Sequence, residues 1–289
     1  MRFSYAEAMV DPAQYAPLAR AAEAAGFHAM TVADSIAYPE VSDSKYPYTP
    51  DGNRQFLEDK PFIDPFCLVS ALGVVTERIR FDTFVAKLPI RHPLLVAKQV
   101  ASVAALTHDR FAFGVGLSPW PDDYQLMGVP WAGRGKRMDE MMAILRGLLD
   151  PAGGFFRFEG EVFQLESVKI CPVPGKRVPL LVGGHSEGAL ARAAKLGDGW
   201  MHAGGDAEEM KRLLARLHEL RREHGREREP FEVHVLTQDA YTKDGVKRLE
   251  DLGVTDCIVG FRNSYERDSV PLEKKLASIG RFGDKIIRP

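Results

Sequence analysis

The chain has 289 residues, 45% of them hydrophobic and 27% charged, with a formal net charge of -2. That balance fits a globular protein with a sizeable core. It excludes a basic surface for nucleic acid and a polybasic membrane anchor, so a small-molecule substrate is the expected partner.

Residues 2–8 read as a short strand. Asp11-Pro12 then supplies an N-cap and a first-turn proline; Leu18, Ala21, Ala22 and Ala25 share one helical face, and Gly26 ends the helix. A second strand over 28–33 ends in Asp34-Ser35. The following stretch, 36–61, contains four prolines and no sustained period. A loop that long is functional or disordered, and Tyr38, Tyr46, Tyr48 and Phe56 argue against disorder. Asp64-Pro65 opens the next helix, residues 79–86 form a third strand, and His92-Pro93 begins a helix carrying Val96, Val100 and Val103. A fourth strand, RFAFGVG (110–116), leads into an irregular piece and a helix marked by Met138, Met141, Met142 and Leu145. Residues 155–165 look like a hairpin around Glu159-Gly160. Strand and helix then alternate to the end, with the last helix marked by Leu272, Leu276 and Ile279.

Eight strand–helix units without a Pro/Ser-rich linker predict an α/β fold. The expected architecture is a single (β/α)8 TIM barrel over residues 1–289, with insertions after strands two and four and a small hairpin before strand five. The N-terminal residues lack the regions of a signal peptide and no stretch approaches a bilayer's span, so a cytoplasmic location is expected. Cys67, Cys171 and Cys257 lie far apart and match neither a disulfide framework nor a metal knuckle; buried free thiols and no metal are expected.

The segment PLLVGGHSEGALARAAKLGDGWMHAGG (179–205) draws attention within this pattern. It reads as a strand, a double-glycine turn, a helix capped by Ser186, and another strand. Gly183 and Gly184 let the backbone approach a ligand, and the N–H groups of Gly184, His185 and Ser186 would face it as an anion site at a helix start. A βα turn needing glycine for its geometry alone is the alternative. In a barrel such loops share the face at the C-terminal ends of the strands, where ligands bind.

Four segments in order then carry a family resemblance: AAEAAGFHAMTVAD, TERIRFDTFVAKLPIRHPLLVAKQVASVAALTHDRFAFGVG, GKRMDEMMAILRGLL and VGGHSEGALARAAKLGDGW. Together they resemble the bacterial luciferase-like monooxygenase superfamily, and most closely its coenzyme F420-dependent oxidoreductases. The resemblance implies a deazaflavin or flavin cofactor, F420 or alternatively FMN. It implies a non-proline cis peptide at Phe84-Val85 behind the cofactor ring, Gly114-Val115-Gly116 beneath the cofactor, and its phosphate at Gly183, Gly184, His185 and Ser186. Relatives are often homodimers, and that state is expected here.

Two departures bear on chemistry. Several deazaflavin-dependent relatives place His after the Asp ending strand two, where this chain has Asp34-Ser35. Some dehydrogenases place Glu after the fourth-strand glycines, where this chain has Ser118-Pro119-Trp120. A reductase or an oxygen-using monooxygenase is therefore expected over a sugar-phosphate or alcohol oxidiser. Candidate proton donors are Asp34, Ser35, Tyr48, His92 and His202, with His202 best placed to reach the mouth and His92 read as a helix cap. His28, at the other end of strand two, reads as structural. Trp120 and Trp131 are candidates for stacking, and Arg134, Lys136 and Arg137 for holding an acidic cofactor tail or forming a solvated helix start. A non-catalytic flavin-binding protein is a further reading; a barrel isomerase or aldolase is last, since only Lys87 stands convincingly at a strand end.

Overall fold

The computed structural model describes residues 1–46 and 51–288. Strands β1 (Arg2–Ala6), β2 (Ala29–Val32) and β3 (Arg80–Thr83) are hydrogen-bonded side by side, and β3 continues past a break as β4 (Ala86–Lys87). Next come β5 (Phe111–Gly116), an outlying antiparallel hairpin of β6 (Phe156–Glu159) and β7 (Gln164–Val168), then β8 (Leu180–Gly183), β9 (Gly199–His202), β10 (Glu232–Leu236) and β11 (Asp256–Val259). Parallel pairing of β3 with β5 and of β11 with β1 closes an eight-stranded ring, as the alternation predicts. Helices wrap it: α1 (Tyr15–Ala25), α2 (Pro65–Gly73), α3 (Pro93–Leu106), α4 (Pro121–Leu126), α5 (Arg134–Leu148), α6 (Glu187–Leu196), α7 (Ala207–Glu223), α8 (Lys243–Asp251) and α9 (Leu272–Phe282). Among the described residues, no helix is long and apolar enough to cross a membrane.

Local chemistry sets the helix boundaries. Asp64 accepts from the N–H groups of Phe66 (2.9 Å) and Cys67 (3.1 Å), with Pro65 first in α2. Gly26 stops α1 at φ 90°, a left-handed conformation that a side chain disfavours. Leu18, Ala19 and Ala22 of α1 are fully buried against the barrel.

The barrel interior is layered along its axis. At the N-terminal floor, Arg80 grips Glu232 through two bonds (2.9 and 2.8 Å) and pairs with Asp82 at 2.8 Å. Arg2 holds Asp256 at 2.6 Å, and His234 Nε2 lies 2.8 Å from Glu232 Oε2. The parallel register makes this cluster, setting Arg2 and His234 opposite Asp256. Above it sits an apolar plug of Ala112, Leu181, Met201 and Ile258, each fully buried. Ala6, Phe84, Val85 and Leu236 pack on the plug from the C-terminal side.

Several details differ from what the sequence alone predicts. The third strand is not continuous over 79–86: the Phe84–Val85 peptide is cis and separates β3 from β4. The loop after β5 contains a real helix, α4, whose start at Pro121 follows the buried Trp120. The hairpin closes between Gly160 and Phe163, and β7 runs to Val168, beyond the expected end at 165. Only Cys257 is a buried thiol, with burial pushing its pKa up to about 12; Cys67 is exposed because it lies off the apolar face of α2, and Cys171 is exposed in the turn after the hairpin.

Candidate active site

A cavity of about 590 Å³ opens at the C-terminal mouth, directly over Phe84 and Val85. Its size is that of a small-molecule or cofactor pocket. Phe84, Val85, Gly116, Gly183, Gly184, His185 and Ser186, seven positions singled out from the sequence, all line it. They arrive from β4, β5 and β8, and the ring closure brings these exits together.

Val85 explains two of the glycines. A Cβ on Gly116 would lie 2.7 Å from Val85 Cγ2, and one on Gly183 would lie 2.8 Å from Val85 Cγ1. Both glycines therefore make room for the valine, which becomes an apolar shelf in the cavity wall. Gly114 serves the chain itself: a Cβ there would sit 1.8 Å from the carbonyl oxygen of Thr83. It is not among the residues lining the cavity, and it lets β5 pass close to β3.

The glycine turn after β8 has the polarity of an anion site. Ser186 caps α6, its Oγ accepting from Ala189 N at 3.2 Å. Among the described residues, no acceptor engages the main-chain N–H groups of His185 or Ser186, while the pairing of Gly183 with Met201 takes the N–H of Gly184 into the β8–β9 ladder. These donors stand at the positive end of the helix. Glu187, in the first turn, is held away by Arg216 of α7 at 2.7 Å, so its charge is answered outside the mouth.

His185 and His202 form a stacked pair, centroids 4.4 Å apart and planes 9° from parallel. His185 Nε2 accepts from Ala203 N at 3.1 Å. Burial holds the His185 pKa below its usual value and, with His185 beside it, holds that of His202 down at about 4. Both rings are therefore neutral near pH 7. His185 faces the cavity, while His202 is 1% exposed and lies behind it.

The other sequence candidates occupy different places. Asp34 is buried in a clamp, accepting from Lys87 N (2.8 Å) and Arg91 Nη2 (2.8 Å), and fixes the exit of β4. Ser35 is half-buried, and neither it nor Asp34 lines the cavity. Tyr48 lies outside the described residues. His92 stands at the N-cap position of α3 but its side chain makes no capping bond; its ring meets Phe163 edge-on at 6.4 Å. His28 lies at the floor end, with burial and Arg80 lowering its pKa. The basic cluster disperses: Arg134 lines the cavity, Lys136 pairs with Glu161, and Arg137 donates to Pro89 O at 2.7 Å. Trp131 lines the cavity and carries the Arg134 guanidinium 3.6 Å above its ring; Trp120 is buried behind the wall.

Sequence reasoning passed over Glu7. It follows β1, lines the cavity while 4% exposed, accepts from Tyr5 Oη at 2.8 Å and pairs with Arg262 Nε at 2.8 Å. The signal was available, because an acidic residue just beyond a barrel strand is at the reactive face. Tyr265, after β11, and Tyr46, in the loop after β2, roof the mouth with centroids 5.8 Å apart.

A closed parallel barrel with an apolar shelf beneath, a donor-lined turn at one side and long loops as a roof defines the class of luciferase-like barrels. The chain belongs to the luciferase-like monooxygenase family, whose family model matches residues 3–268, and members of that family are oxidoreductases or monooxygenases. It is 57% identical over 289 residues to an uncharacterised protein of Mycobacterium tuberculosis, covering 99% of each chain. The fold is that of the coenzyme F420 dependent tetrahydromethanopterin reductase from Methanopyrus kandleri (TM-score 0.74, 15% identity, 99% of this chain and 98% of that one). It is equally that of the monooxygenase RslO1 from Streptomyces bottropensis (TM-score 0.72, 17% identity, 99% of both chains).

Proposed function

We propose that this protein is a deazaflavin- or flavin-dependent oxidoreductase acting on a small organic substrate, with coenzyme F420 as the first candidate and FMN as the second. The observation that carries this reading is the pair of main-chain donors at His185 and Ser186, unengaged among the described residues and opening on the same cavity as the Val85 shelf.

The residues fit such a group. The N–H groups of the turn and the positive end of α6 would hold a phosphate. Arg134, which has no carboxylate within ion-pair distance among the described residues, would take further negative charge of the coenzyme. Val85 would support a flat ring from below. When bound, a reduced deazaflavin supplies a hydride and a reduced flavin supplies a hydride or activates oxygen. The chain's own contribution is to bind, orient and exclude water. The neutral His185–His202 pair closes one wall without adding charge, and the Asp34–Arg91 clamp holds the exit of β4 and with it the shelf. Asp34, Ser35 and His202 act on this reading by positioning, since none of them lines the cavity. Glu7 is a carboxylate on the wall, held by Tyr5 and Arg262 and placed to accept a hydrogen bond.

Titrating the purified protein with F420 and with FMN, followed by cofactor fluorescence, tests the proposal. Saturable binding of F420 is expected. Binding of FMN with no affinity for F420 would favour the monooxygenase reading, and binding of neither would overturn both.

A further inference from the structure

Two charged residues on the cavity wall have buried counter-ions, and one does not. Glu7 is answered by Arg262. Lys87 is answered by Asp123, its ammonium 2.9 Å from Oδ1 and 2.8 Å from Oδ2. Asp123 is 3% exposed and also accepts from Ser118 Oγ at 2.5 Å, so its charge is fixed in place. Lys87 is held at both ends: its main-chain N–H donates to Asp34, its carbonyl accepts from Arg91 Nη1 at 2.8 Å, and its ammonium lies 5.3 Å from the Trp120 ring centroid. An ammonium has three donors. Among the described residues, Asp123 is its sole hydrogen-bonded acceptor, so donor capacity remains.

We propose that Lys87 is the specificity residue for the substrate and selects a neutral carbonyl compound over a carboxylate. The inference rests on the oxidoreductase reading for the word substrate, but the selection follows from the pair itself. Lys87 and Asp123 together are neutral. The ammonium can donate a charge-assisted hydrogen bond to a ketone or amide oxygen. A carboxylate brought to the same place would meet the buried charge of Asp123 as well, and the attraction and repulsion largely cancel. Arg134, without an acid partner, is where negative charge is favoured, and on the reading above the coenzyme uses it. The two cations of the mouth thus differ in what they accept, Arg134 an anion and Lys87 a neutral oxygen.

The test measures binding of benzylacetone and hydrocinnamate, a ketone and a carboxylate of similar outline, to the full chain by calorimetry, with and without saturating coenzyme. Wild type should prefer the ketone by about tenfold or more, the size of one hydrogen bond to a charged group. Removing both charges, in the double variant Lys87→Met with Asp123→Asn, should remove that preference. Asp123→Asn, which keeps the shape and frees the ammonium, should instead raise hydrocinnamate affinity by about tenfold. An equal ratio in all three proteins, a preference of wild type for the carboxylate, or no ketone binding in either form would overturn the proposal. Titration of the same proteins with F420 and FMN separates the two failures. Ketone preference that follows Lys87 without any coenzyme binding would sink the oxidoreductase reading alone; coenzyme binding with an unchanged ratio would sink the selection alone.

Discussion

At the N-terminal end of the barrel, Arg2, Arg80, Asp82, Glu232, His234 and Asp256 engage one another across four strands. At the C-terminal end, the main-chain donors of His185 and Ser186 and the Arg134 guanidinium have no anionic partner among the described residues. The apolar plug of Ala112, Leu181, Met201 and Ile258 separates the two. The contrast shows what a binding site looks like in a barrel that is charged at both ends. Charged groups at the floor pair with one another within the protein. The donors at the mouth are left for something else to complete.

The largest expected effect breaks the floor. Asp82→Ala leaves Arg80 without one of its buried counter-charges, and losing one partner of a buried pair costs about 3–5 kcal/mol. Urea unfolding should show that loss, while any protein that stays folded should bind coenzyme as wild type does. A loss of coenzyme affinity with unchanged stability would invert the roles of the two ends.

The two ends also separate by pH. His202 has its folded pKa lowered to about 4, below its usual 6.5. The folded ring stays neutral while the unfolded one takes a proton, so stability declines as pH falls from about 6.5 towards 4, by about 1.4 kcal/mol per unit and about 3 kcal/mol in all. His202→Phe should flatten this slope. Glu232 is the opposite type of group, a carboxylate held well below its usual value by His234 and Arg80 against the cost of burial. Its contribution is present above the ordinary carboxylate range and is lost in stronger acid, as pH falls through the folded value. Unfolding free energy measured from pH 8 to 3 should show the histidine slope first and the floor's failure later.

Smaller effects sharpen the mouth. Gly183→Ala should cost about 1–3 kcal/mol by overpacking against Val85, and adding Val85→Ala should recover part of that stability. Coenzyme affinity should fall in both, because the shelf has moved in one and been cut down in the other. Arg134→Ala should change stability by under about 0.5 kcal/mol and weaken coenzyme binding by about tenfold, with the loss shrinking as salt is raised.

Much of this was legible in the chain. The eightfold alternation implied the ring because short strands alternate with helices whose apolar faces and caps can be read, and Ser186 was readable as the cap it is. The floor was not legible. Arg2 and Asp256 are 254 positions apart, and only the closing register makes them neighbours. A hint existed in charged residues inside short strands, as in RFDT and EVHVL, where core valines are the norm. Asp34 was recognisable as a residue at the reactive face, but not as the partner of Arg91, because a side-chain pair between two loop ends leaves no period in sequence. His202 was placed at the correct strand end; that His185 would stack over it depended on the φ of 124° at Gly184, which turns the chain before α6.

The central claim is that the donors after β8 hold a phosphate. Comparing FMN with riboflavin, and the deazaflavin core carrying a single terminal phosphate with the same core lacking it, isolates that group while keeping the ring. The account predicts that each phosphorylated form binds about tenfold to a hundredfold more tightly, the worth of one or two hydrogen bonds to a charged group. Equal affinity with and without the phosphate would contradict it.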